Sequence, residues 1–197
     1  MKRATAVTCG VLGIVFAALL FSHQASGQGT AGWTTLFDGK SISNFNAIGN
    51  ANWEIRDGAV QANMGTGFLV TKASYTDFEL KVEFWVDADA NSGVFIRCEN
   101  AQEVNAMNAY EVNIYDKRPD QAGRTGAIVD VAKPLAVVDA GGKWNTFEIS
   151  ANGARLVVTL NGTKTVDVEN KAHARGNIAL QYGAGTVKFR SVQVRPQ

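Results

Sequence analysis

The sequence predicts an all-β protein, a two-sheet antiparallel sandwich of the jelly-roll type, and three observations carry the prediction. Apolar and polar residues alternate with period two from Trp53 onward, the pattern of strands that turn one face to a core. The dipeptides Asp57-Gly58, Asn152-Gly153 and Asn161-Gly162 punctuate the alternating runs, and each is a strong hairpin signal. The chain has only 3 prolines and no convincing amphipathic helix, which favours a sandwich over alternating strands and helices.

In chain order, Lys2 and Arg3 precede an apolar run from Val11 to Phe21, and the small residues Ala25, Ser26 and Gly27 follow. This reads as a secretory signal peptide over residues 1–27, since the run falls short of the roughly 20 residues that span a bilayer. Cys9 lies before the run rather than after it, so no lipid anchor is expected. A single domain over 28–197 follows, exported to the periplasm or secreted, with no membrane attachment in its mature form. Its strands begin with a hairpin of Trp53–Arg56 and Ala59–Ala62. In Phe78–Val86, Phe78, Leu80, Val82, Phe84 and Val86 alternate with Glu79, Lys81, Glu83 and Trp85. Strands are also expected over Ser92–Cys98, Tyr110–Tyr115 and Gly126–Asp130. A three-strand meander runs from Thr146 to Val168, and Gly176–Tyr182 and Thr186–Arg195 complete the set. Glu99–Asn108 reads as a loop or short helix, and Asp116–Arg124 as a functional loop at a sheet edge.

About 170 residues suffice for one core without covalent staples. Loss of Lys2 and Arg3 lowers the 19 basic residues to 17 against 18 acids, a net charge of −1. With no basic run, neither nucleic acid nor an anionic membrane is an expected partner. Cys98 is then the one remaining cysteine, so no intramolecular disulfide forms, and a buried, inert thiol is expected.

Strand phase nominates a site. If Phe84 and its neighbours face the core, Glu83 and Trp85 face outward. Val94, Ile96 and Cys98 as a core set leave Phe95 and Arg97 open. Val112 and Ile114 as core turn Glu111 and Asn113 outward, and Ile178 and Leu180 as core do the same for Gln181. Glu83, Arg97, Glu111, Asn113 and Gln181 are thus expected to converge beside Trp85. Such a face suits a sugar, whose hydroxyls pair with planar polar groups and whose C–H face stacks on indole. An ordinary solvated face with surface ion pairs gives the same alternation.

Asp87, Asp89 and Asn91 open like a calcium loop, but Ser92 and Cys98 stand where that loop needs Gly and Glu. Calcium is possible there and not predicted. His173 is the only histidine after residue 27, so neither a zinc site nor a histidine triad is expected, and His173 reads as a surface loop residue. No metal and no cofactor is expected, and any general base should be a carboxylate. Asn161-Gly162-Thr163 matches a glycosylation sequon, but the hairpin turn accounts for it.

An ordered set of motifs carries a resemblance: Leu36-Phe-Asp-Gly-Lys-Ser, Asp77-Phe-Glu-Leu, Asn91-Ser-Gly-Val-Phe-Ile-Arg97 and Tyr110-Glu-Val-Asn. They continue with Thr125-Gly-Ala-Ile, Trp144-Asn-Thr-Phe-Glu-Ile, Leu160-Asn-Gly, Gly176-Asn-Ile-Ala-Leu-Gln181 and Phe189-Arg. Over nearly all of 28–197 the chain resembles the 3-keto-disaccharide hydrolase domain family, which has a concanavalin A-like fold. The resemblance implies an exported hydrolase acting on glycosides oxidised at C3. It carries over Arg97, Glu111 and Gln181, with Glu83 and Asp116 beside them. This chain has Asn113 where the family usually has Gln, and Val129 where a Tyr is common.

For such a substrate the expected mechanism is abstraction of the C2 proton, elimination at C1 and hydration, and the predicted shared face assigns Glu111 as base, Arg97 to the carbonyl oxygen, and Asn113 and Gln181 to hydroxyls. Ordinary hydrolysis by Glu83 and Glu111 about 5 to 9 Å apart, a non-catalytic carbohydrate-binding module and an adhesive envelope protein are the alternatives.

Overall fold

The computed structural model describes Met1 and residues 32–197. The expected signal peptide, residues 1–27, lies outside the described residues except for Met1. Thirteen strands follow, β1 Thr34–Phe37, β2 Phe45–Gly49, β3 Glu54–Arg56, β4 Ala59–Ala62, β5 Gly67–Tyr75, β6 Phe78–Val86 and β7 Asn91–Cys98. The rest are β8 Tyr110–Ile114, β9 Trp144–Asn152, β10 Arg155–Leu160, β11 Thr163–Glu169, β12 Gly176–Ala184 and β13 Val187–Pro196. Among the described residues the sole helical element is a 3₁₀ turn, Gln121–Gly123, and no helix is long and apolar enough to cross a membrane.

The strands form two antiparallel sheets. Sheet A has the order β11-β10-β9-β6-β13-β4-β3, with β1 also paired to β13, and sheet B the order β2-β5-β12-β7-β8. Between them Phe78, Leu80, Val82, Phe84 and Val86 of β6 pack with Val94, Ile96, Val112, Ile114, Ile178 and Leu180 of sheet B. Phe84 stacks on Phe147 with ring centroids 4.9 Å apart. Truncating such a side chain to alanine costs about 3–5 kcal/mol.

Turn chemistry sets the hairpins. Asp57 and Gly58 both have positive φ (52° and 73°), as do Asn161 and Gly162 (51° and 80°), the geometry that joins two right-twisted strands in two residues. The β9–β10 turn lies one residue later than its Asn-Gly pair predicts. Asn152 pairs with Arg155, so Gly153 and Ala154 make the loop.

The strand expected over Gly126–Asp130 does not form. Gly126 and Asp130 take positive φ (86° and 60°), and the segment makes isolated bridges from Ile128 to Val112 and Ala132. It still runs along β8, with Val129 N–H donating to Glu111 O and Asn113 N–H to Ala127 O, and so covers the open edge of sheet B.

Phase also fails at the end of β7. Arg97 has φ 53°, and the β12 register shifts between Asn177 and Ala179. The irregularity turns Cys98 to the side of Phe95. There Val70, Phe95, Cys98, Val104, Ala109 and Ala179 make a second, smaller core beneath the loop of residues 99–109. Burial pushes the Cys98 thiol up to about 12, in keeping with an inert cysteine.

Candidate functional site

Arg97, expected on the open face, is 1% exposed. Its Nε donates to Thr76 O (2.8 Å), Nη1 to Gly153 O (2.8 Å) and His173 O (3.1 Å), and Nη2 to Asp77 Oδ1 (3.0 Å). The guanidinium clamps one end of the sandwich, joining loops of both sheets, because the left-handed residue turns it away from Glu111. His173 is likewise not a surface residue. It is 8% exposed, sits edge-on to the Tyr110 ring, and its N–H donates to Tyr110 Oη at 3.0 Å.

Glu83 and Trp85 are outward, but on the wrong sheet. Both lie on β6 of sheet A, where Glu83 pairs with Arg190, Lys188 Nζ stands 5.0 Å from the centroid of Trp85, and Trp85 faces Trp144 across the strand pair. The whole core separates them from the outward face of sheet B. Glu83 and Glu111 therefore cannot flank one glycosidic bond, and the two-carboxylate reading falls with that pair.

Two expected residues do meet. Gln181 on β12 and Glu111 on β8 lean toward each other over β7 where Gly93 supplies no side chain. A Cβ there would meet Gln181 Oε1 at 3.3 Å and Glu111 Oε1 at 3.4 Å. Gln181 Oε1 is buried and has no hydrogen-bond partner, a state that ordinarily costs about 1–3 kcal/mol. Burial raises the Glu111 carboxyl to about 7, with the Arg118 guanidinium pulling it down and Asp130 pushing it up. A carboxylate so placed is half protonated near neutrality, the condition of a general base.

Asn113 and Asp116 shape the rim rather than face the floor. Asn113 is fully buried; its Nδ2 donates to Gly123 O and its Oδ1 accepts from Ile114 N. Asp116 accepts from Thr125 Oγ1 and from the N–H groups of Ala140 and Gly141. Together with Asp120, which caps the 3₁₀ turn through Ala122 N–H, they fix the loop that carries Arg118. Arg118 lies against Gly123, where a Cβ would come within 2.6 Å of its Nε, and it lines a cavity of about 220 Å³ with Asp120, Asp130 and Lys133. Arg118 belongs to no strand, so strand phase does not point to it; a cation in the loop adjoining β8 is the available signal.

Asp87 of the calcium-like triplet accepts the N–H groups of Asp89 and Thr186, and Asp89 pairs with Lys117. Among the described residues no group of three or more His, Cys, Asp or Glu is gathered as a metal site.

The family model of the 3-keto-alpha-glucoside-1,2-lyase-like domain matches residues 32–195. The chain belongs to that family. No curated protein matches it. Among solved structures, this family member is similar to two candidate glycosyl hydrolases from Parabacteroides distasonis. One is 18% identical with a TM-score of 0.76, covering 84% of this chain and 94% of that one. The other is 25% identical with a TM-score of 0.71, covering 84% and 99%. A carbohydrate-binding module from Bacillus subtilis is 19% identical with a TM-score of 0.59, covering 82% and 94%, and shares the sandwich fold.

Proposed function

We propose that the protein is an exported carbohydrate-active enzyme that cleaves glycosides oxidised at C3, using the outward face of sheet B. A C3 ketone acidifies the C2 hydrogen. Glu111 takes that proton, the C2–H electron pair forms the enolate, and its return expels the glycosidic oxygen from C1. The leaving oxygen gains a proton, and water adds at C1 of the enone as C2 is reprotonated. The cation that offsets enolate charge is Arg118, in place of the buried Arg97, and Gln181 Oε1 accepts from a sugar hydroxyl. The observation that carries this reading is the pairing of a carboxyl raised to about 7 with an unpartnered amide oxygen across a glycine.

Glu111→Gln tests it. Turnover of a 3-keto glucoside should fall by about a hundredfold or more, the usual contribution of a general base, while binding persists. Unchanged turnover in the variant would reject the role.

A non-catalytic binding module is the second reading, favoured by the likeness to the Bacillus subtilis module. It predicts glycan affinity with no product from any 3-keto substrate.

A further inference from the structure

We propose that the cavity beyond Gln181 is a leaving-group subsite that selects glycosides whose leaving group is a ring with an apolar face. The inference rests on the reading of Glu111 as base and deepens it. In register, Ile48 of β2 faces Phe68 of β5, Phe68 faces Gln181 of β12, and Gln181 faces Gly93 of β7. One transverse row on sheet B thus passes from aliphatic through aromatic and amide to bare backbone, where Glu111 leans in. Adjacent strands are spaced about 4.8 Å apart, so Phe68 stands roughly 10 Å from Gly93, within reach of a group attached to a sugar held over the glycine.

A cavity of about 450 Å³ lies over the apolar half of this row, with Ile48, Phe68 and Val104 as apolar lining and Asn91, Gln102 and Gln181 as amides. That size and that mixture are typical of small-molecule sites. Gly183 adds no side chain to the same wall, and a Cβ there would sit 3.0 Å from Asn91 O. The Phe68 ring is held in a T-shaped contact with Phe95, centroids 5.4 Å apart and planes at 88°, so its plane is fixed before a ligand arrives. A ring stacked on Phe68 would keep its oxygens toward the amides, and Gln181 would serve both halves of the substrate. Binding energy taken up here is remote from the reacting bonds and can be spent on positioning C2 against Glu111.

Matched 3-keto glucosides with methyl, phenyl and glucosyl leaving groups provide the test, assayed with the wild type, Phe68→Leu and Ile48→Asn. Each variant's thermal unfolding is followed alongside, and Ile48 on its edge strand guards against misfolding of the Phe68 variant. The change in kcat/KM ratio on mutation removes the intrinsic leaving ability of each group. The ratios of phenyl and glucosyl to methyl should fall about tenfold in Phe68→Leu, the worth of one aromatic contact. A fall with phenyl alone identifies an aromatic aglycone, and with glucosyl alone a second pyranose. If the wild type turns over no 3-keto glucoside, the reading of Glu111 fails. Calorimetric binding of methyl glucoside, phenyl glucoside and a glucosyl glucoside then decides the subsite by the same ratios. Ratios unchanged within about twofold, in turnover or in that binding assay, overturn the subsite.

Discussion

As the proposed base, Glu111 has to ionise in a poorly hydrated place, and folding bears the cost. Its ordinary value of 4.5 rises to about 7 in the folded protein, so between those values the folded chain holds a proton that the unfolded chain has released. Stability therefore falls as pH rises from about 4.5 to 7 and stays lower above that window, by up to about 3 kcal/mol. Glu111→Gln, which has no charge to bury, should be more stable than the wild type at pH 8. The two denaturation midpoints should converge near pH 4. An equal difference at both pH values would place the cost elsewhere. The phase of β8 made Glu111 legible, as the phase of β12 did Gln181. Arg97 was not legible, because alternation assumes extended backbone and the residue adopts φ 53°.

At the scale of elements, the loop after β8 decides whether a cation reaches Glu111. Gly123 is buried and its φ is not positive, so alanine fits its backbone, and what an added Cβ displaces is the end of the Arg118 side chain. Gly123→Ala should lower kcat by about ten- to a hundredfold, the effect of a small misplacement in a site, with little change in Tm. A Tm loss matching the loss of rate would mark the glycine as merely structural. Hairpins with Asp-Gly or Asn-Gly turns could be read from sequence because two residues fix their geometry. Gly126–Asp130 could not, since two left-handed residues interrupt a segment whose composition resembles a strand. Polarity and phase nominate Asn113 and the family resemblance nominates Asp116, but their hydrogen bonds go to backbone groups and to the Thr125 hydroxyl, which no local pattern reveals.

For the whole molecule, the two sheets divide the polar outward residues between opposite faces. Phase says that Glu83 and Trp85 point away from the core, yet a sandwich has two such directions. The choice between them follows from strand order, with β6 between β9 and β13 and β7 between β12 and β8. Only tertiary pairing supplies that order. Glu83→Gln and Trp85→Ala should accordingly leave turnover within about twofold of the wild type, as expected for surface positions remote from the chemistry. A large loss in either would move the site to sheet A.

The most direct test of the account is the fate of the C2 hydrogen. Wild-type turnover of a 3-keto glucoside deuterated at C2 should be slower than that of the protiated sugar, a primary isotope effect on bond cleavage at that carbon. Equal rates, with the glycosidic bond still broken and the unoxidised parent glycoside cleaved as readily, would contradict proton abstraction by Glu111.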